Sequence, residues 1–176
     1  MNRTLLTLLV SSLAGFFAGM FALQAQTTNT LSNEVKQSYT NVKNNLLKAA
    51  EKMPEENYGF KPTPDIRTFG ALVAHVADSQ TRACNAVMGQ QKQASASSKT
   101  SKADIVAALK DSAADCDKAF NALTDAASTE MVKMGRSEVT KMGALMRTVA
   151  HDNEEYGYMA VYLRLKGVVP PSSEGR

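Results

Sequence analysis

The sequence predicts an all-α fold, a four-helix bundle preceded by a cleavable signal peptide. Three observations carry that expectation. Apolar residues recur at steps of three and four in four long stretches. No stretch shows the run of alternating β-branched residues that marks a strand. Prolines, glycines and a Gln/Ser-rich run fall between the periodic stretches, where helices have to stop.

The opening segment stands apart from the rest. Arg3 supplies a positive start, Leu5 to Leu23 is almost uninterrupted apolar sequence, and the small residues Ala22 and Ala25 precede the polar run Gln26 to Thr30. This is the three-part order of a secretory signal. The apolar stretch also approaches the length of a membrane anchor, but a polar turn directly after Ala25 favours cleavage. Residues 1–25 are therefore expected to be a signal peptide, 26–171 the helical domain and 172–176 a tail. The expected location is the periplasm or the medium.

The chain of 176 residues has room for one domain beside that leader. Its formal charge falls from +3 to +2 without Arg3, and the lysines are scattered. Neither points to nucleic acid. Trp is absent and aromatics are few, which argues against a carbohydrate-stacking platform. Cys84 and Cys116 read as a disulfide in an oxidising compartment, or else as two buried thiols. Neither lies in a C-x-x-C motif, so a redox enzyme or zinc knuckle is not indicated.

Helix 1 is expected from Leu31 to Met53, with Leu31, Val35, Tyr39, Val42 and Leu46 on one stripe, Ser32 as N-cap and Pro54 as stop. A loop rich in proline follows, Pro54 to Asp65. Helix 2 begins between Asp65 and Thr68 and runs to Met88, and Gln90 to Lys99 reads as a flexible, solvated connection. Helix 3 covers Lys102 to Ala127 behind Ser101 as cap. Thr129 to Ser137 is a connector, and helix 4 runs from Glu138 to Lys166, closed by Gly167. One stripe per helix suggests an antiparallel bundle. The connection through residues 90–99 is long enough to cross over, so the order of directions stays open.

The chain holds two histidines, His75 and His151, both in mid-helix. Glu155 follows His151 by four positions, which places both on one face a turn apart, within reach of one ion. Imidazole and carboxylate suit zinc, iron, nickel or manganese. By helical angle all three residues lie on the flanks of their apolar stripes, His75 roughly 120° from the stripe centre. Flanks of neighbouring helices can meet at a groove, where an ion keeps open positions. Each residue also has an ordinary reading. A mid-helix histidine is often a surface or hydrogen-bonded core residue, and Asp152 to Glu155 reads equally as a solvated acidic face.

The segments NYGFKPTPDIRTFGALVAHVADS (Asn57 to Ser79) and HDNEEYGYMAVYLRLKGVVPP (His151 to Pro171) resemble the second-helix approach and the last helix of the DinB-like (DinB/YfiT-type) superfamily. The resemblance implies a four-helix bundle with one divalent metal held by three side chains, usually all His. Of these, one sits on the second helix and two, four apart, on the last. His75 and His151 match the first two positions, and Glu155 stands where the pattern has His. A two-His, one-carboxylate set is still competent, but the departure leaves a degenerate, empty site as an alternative. An ion with an open position can activate a water, as in a metal-dependent hydrolase, or a thiol, as in a thiol S-transferase, and the resemblance implies the second. Export counts against the second, because low-molecular-weight thiols serve mainly in the reducing cytoplasm. The alternative is a non-catalytic envelope protein that binds a metal or small ligand. Asp78, Arg82, Thr148, Tyr158 and Tyr162 fall near the same flanks and are candidates to orient ligands or contact substrate. Met142, Met146 and Met159 are candidates for a homodimer face, though methionines at this spacing are more often core.

Overall fold

The structure is a computed structural model and describes residues 29–175. The expected signal peptide lies outside the described residues, and so does Arg176. Four helices dominate: α1 (Thr30–Lys52), α2 (Phe69–Val87), α3 (Lys102–Ala122) and α4 (Lys141–Leu165). Among the described residues no helix is long and apolar enough to cross a membrane.

Their starts follow from side chains that satisfy the first free N–H groups. Thr68, Ser101 and Thr140 accept from the backbone N–H of Ala71, Asp104 and Gly143 and so cap α2, α3 and α4. Helix α1 is capped differently. Ser32 lies inside it and is buried, and the carboxylate of Asp125, beyond the end of α3, accepts from the N–H groups of Leu31 and Ser32 and from the Ser32 hydroxyl. The expected Ser32 cap is thus replaced by a residue 93 positions away, a partner that local sequence cannot show. Gly167, at φ 70°, ends α4 in the conformation a helix terminus favours for glycine.

The helices run in two parallel pairs. Along α2 and α3 the contacts climb together: Gly70 against Ile105, Gln80 bonded to Ser112, Cys84 bridged to Cys116. Against α4 they climb in opposite senses, with the Arg67 carbonyl at Tyr162 and His75 at His151. Helix α1 is antiparallel to α3, since Ser32 meets Asp125 while Met53 meets Lys102. The antiparallel arrangement suggested by the stripes therefore gives way to up-down-down-up. The linker after α2 returns along the whole bundle to start α3 beside the start of α2. It is not free: Ala96–Ser98 form a 3-10 turn, Ala96 is buried, and its N–H donates to Asp78.

Two further differences from expectation are local. Helix α3 ends at Ala122, and the segment before α4 is an antiparallel hairpin, β1 (Met131–Met134) with β2 (Ser137–Thr140), so Glu138 lies in a strand. Gly135, at φ 62°, opens its two-residue turn. The tail is held as well: the Tyr156 hydroxyl bonds Ser172, and Lys52 pairs with Glu174.

The core falls into two apolar halves. One joins the end of α1 to the starts of α2 and α3 and the end of α4, around Leu46, Met53, Phe69, Val73 and Leu163. The other holds Tyr39 stacked on Phe120, the Cys84–Cys116 disulfide and Leu145. Gln80, Ser112 and Asp152, all buried, stand between them.

Candidate metal centre

Helix periodicity brings His75 of α2 and the His151/Glu155 pair of α4 to one point of the antiparallel α2–α4 contact. Nε2 of His75 lies 3.1 Å from Nε2 of His151. Oε1 of Glu155 lies 3.4 Å from the first nitrogen and 3.5 Å from the second. These are the three side chains among the described residues grouped closely enough to hold an ion. A tetrahedral ion with bonds of about 2.0–2.1 Å spaces its ligand atoms about 3.3–3.4 Å apart, and the three separations bracket that value.

Electrostatics favours a cation here. Two imidazole nitrogens 3.1 Å apart can share at most one proton, and Glu155 adds a carboxylate. Oε2 of Glu155 is buried with no hydrogen-bond partner among the described residues, which leaves that oxygen without a donor. Burial accordingly raises the Glu155 pKa, partly offset by His151 and Arg67. Burial lowers that of His75, and Arg67, His151 and Arg82 act in the same direction. His151 moves the other way, raised by the carboxylate of Asp152. The donor set and its spacing fit a divalent ion.

Asp152 is the part of the site that periodicity alone does not reveal. It is completely buried. Its Oδ1 lies 3.6 Å from Nδ1 of His151, beyond hydrogen-bond reach, and has no hydrogen-bond partner among the described residues, while its Oδ2 accepts from Nε2 of Gln80 at 2.8 Å. Oε1 of Gln80 in turn accepts from the Ser112 hydroxyl. A carboxylate near Nδ1 favours, by its charge, the proton on that nitrogen, which leaves the lone pair of Nε2 to the triangle. The acidic run is therefore not one solvated face: Asp152 and Glu155 turn inward, Asn153 and Glu154 outward. Glu155 likewise belongs to the buried face of α4 rather than to its flank, because that face carries Thr148, Asp152 and Glu155 among its apolar residues.

The remaining candidates divide. Asp78 orients no ligand; both its oxygens accept from the linker, at the N–H groups of Ala96 and Ser97. The Thr148 hydroxyl bonds its own helix at the Ala144 carbonyl, while the residue lines a groove beside His151. Tyr162 donates to the Arg67 carbonyl and ties α4 to the approach to α2. The Tyr158 hydroxyl donates to Glu154, and its ring lines a groove beside Glu155. Arg82 lies exposed between the grooves at His75 and His151. Met142, Met146 and Met159 form no common face: Met159 is fully buried, whereas Met146 is 55% exposed.

The fold and the site together define a four-helix bundle with a candidate mononuclear metal centre between its second and last helices. The sequence profile of the DinB superfamily matches residues 38–159, and the chain belongs to that family. No curated protein matches it. Among solved structures it is similar to a DinB-like protein from Bacillus cereus, with a TM-score of 0.68 and 19% identity over 78% of this chain and 93% of that one. A DinB-like protein from Bacillus subtilis gives a TM-score of 0.61 at 18% identity, covering 76% and 92%. A conserved protein from Enterococcus faecalis gives 0.61 at 10% identity, covering 76% and 95%. At these identities the likeness is one of fold.

Proposed function

We propose that this DinB-superfamily protein is an exported metal-dependent enzyme, with His75, His151 and Glu155 holding one zinc, nickel, iron or manganese ion. The observation that carries this reading is the triangle of three donor atoms with 3.1–3.5 Å edges. When bound, such an ion supplies Lewis acidity that lowers the pKa of a water or thiol beside it. The protein's own residues do the rest. The charge of Asp152 biases the tautomer of His151, Gln80 holds Asp152, and Glu155 supplies the negative charge that neutral imidazoles lack. Both histidines keep about 30% of their side-chain surface exposed, and separate grooves reach His75, His151 and Glu155. That openness favours an enzyme over a closed binding site. Hydrolysis is the preferred reaction, because an exported protein has little access to the cytoplasmic thiols a transferase needs. Export itself is supported by the apolar leader and by the Cys84–Cys116 disulfide.

The test is to express the full chain in a bacterial host, recover it from the periplasm, and measure mass and bound metal together. The expected result is a chain cleaved after Ala25 with about one equivalent of divalent metal, lost in His151→Ala. No metal after incubation with excess ions sinks the metal site and leaves a structural or ligand-binding bundle. An intact Met1 on protein found only in the cytoplasm sinks export. Loaded protein without turnover on ester, amide and thiol-transfer substrates returns the non-catalytic envelope protein.

A further inference from the structure

The grooves around the triad share arginines. Arg67 lines both the groove at His75 and the one at Glu155, and Arg82 lines both the groove at His75 and the one at His151. Arg67 stands just before α2, next to its cap Thr68, and Arg82 lies on α2 about two helical turns beyond His75. Both are exposed. Among the described residues neither guanidinium pairs with a carboxylate. Arg82 reaches only the Ser79 hydroxyl, at 3.5 Å.

The groove at His75 is the largest of those that reach the triad, about 700 Å³, the size of a small-molecule site. Its cations are Arg67, Arg82, Lys99 and Lys102, and its carboxylates Glu55 and Asp78. Asp78 is already engaged by two backbone N–H groups of the linker. Lys102 is engaged by the last carbonyls of α1. What remains is two arginines and Lys99 against Glu55. The floor is apolar, with Tyr58, Ala74 and Ile105 buried beneath it. Clamping the linker with Asp78 also fixes the wall that carries Ser97 and Lys99.

We propose that this groove binds a small organic anion. One of the two arginines, Arg67 or Arg82, holds its carboxylate or phosphate, a match for a planar guanidinium fork. Its apolar body lies on Tyr58 and Ile105, beside His75. The binding depends only on the groove; the role of the anion as substrate rests on the metal-enzyme reading above.

The test uses four probes with the same alkyl chain: hexanoate, hexyl phosphate, hexanol and hexylamine. Each is titrated by ligand-observed NMR into the protein as purified and into the same protein loaded with zinc, at fixed low salt. The metal content of every sample is measured. The two anions are expected to bind about tenfold or more tighter than the alcohol and amine, and Arg67→Gln or Arg82→Gln to remove about tenfold of that affinity. Arg136→Gln, on the hairpin turn, is expected to change nothing, and all three variants to keep their metal. Equal binding of the four probes overturns the proposal, and so does anion binding that both Arg67→Gln and Arg82→Gln leave unchanged. Arg-dependent selection of anions by protein that takes up no zinc supports the anion groove and sinks the metal centre. Zinc uptake without such selection does the reverse. The tighter of the two anions names the headgroup.

Discussion

At the scale of single residues, the site depends on which nitrogen of His151 carries the proton. The charge of Asp152 biases this from behind, and Gln80 holds Asp152 in turn. Asp152→Asn keeps the shape and can still accept from Gln80, but it turns an amide N–H toward Nδ1. That favours the opposite tautomer, with a hydrogen on Nε2 where a lone pair is needed. The variant is expected to bind zinc about 10–100-fold more weakly with unchanged helical circular dichroism. Equal affinity in a competition titration would show that Asp152 does not orient the ligand. The three triad residues were legible in the sequence because histidine is scarce here and an i, i+4 pair shares a face. Asp152, Gln80 and Arg67 were not. A buried polar residue is indistinguishable from a surface one in a hydrophobic pattern, and Arg67 precedes the helix, where periodicity says nothing.

At the scale of elements, close approach and capping fix how the loops meet the helices. The N–H of Gly70 donates to the Tyr58 carbonyl at 2.8 Å, and an added Cβ would stand 3.0 Å from the Tyr58 ring and 3.2 Å from that carbonyl. Gly70→Ala therefore makes the Tyr58 ring and carbonyl give way by a few tenths of an ångström. A loss of about 1–3 kcal/mol in urea unfolding is expected, and an unchanged midpoint would mean the loop yields freely. The linker is pinned at its start by Lys92 to Asp115, which also takes Lys118 and Asn85. Above all the Lys92 contact depresses the Asp115 pKa from 3.8 to about 2. A carboxylate depressed in the folded state contributes stability above its unfolded pKa and loses it as pH falls through the folded value. Urea midpoints are thus expected to fall between pH 4 and pH 2, and Asp115→Asn to flatten that slope. Parallel slopes for the two proteins would remove Asp115 as the cause. Helices, their caps at Ser101 and Gly167 and the breaks at proline were all readable from local sequence. The hairpin was not, since Met131 to Thr140 carries lysine, serine and glutamate among its few β-branched residues and is too short to show a period. Nor was the true cap of α1, which comes from Asp125.

At the scale of the whole molecule, two apolar halves, each built from all four helices, meet across a polar layer. The number of helices followed from the stripes, but their directions did not. Direction is set by how far a linker travels, and the stretch from Gln90 to Lys99 reads as solvated while running back along the bundle. The disulfide spans 32 residues of this crossover. Closing a loop of that length contributes about 3–4 kcal/mol by restricting the unfolded chain. Reduction, or Cys84→Ser with Cys116→Ser, is expected to lower the unfolding free energy by that amount. A loss under about 1 kcal/mol would mean that packing alone holds the pair together. The same bridge alters how the protein responds to force. A chain pulled from its two ends lengthens only by what lies outside the bridge, and the 32 residues within it stay hidden. At about 3.3–3.6 Å per residue that is roughly 110 Å of slack, released in one step when a thiol opens the bond. The bundle would record a change from an oxidising to a reducing setting as a change in its own reach.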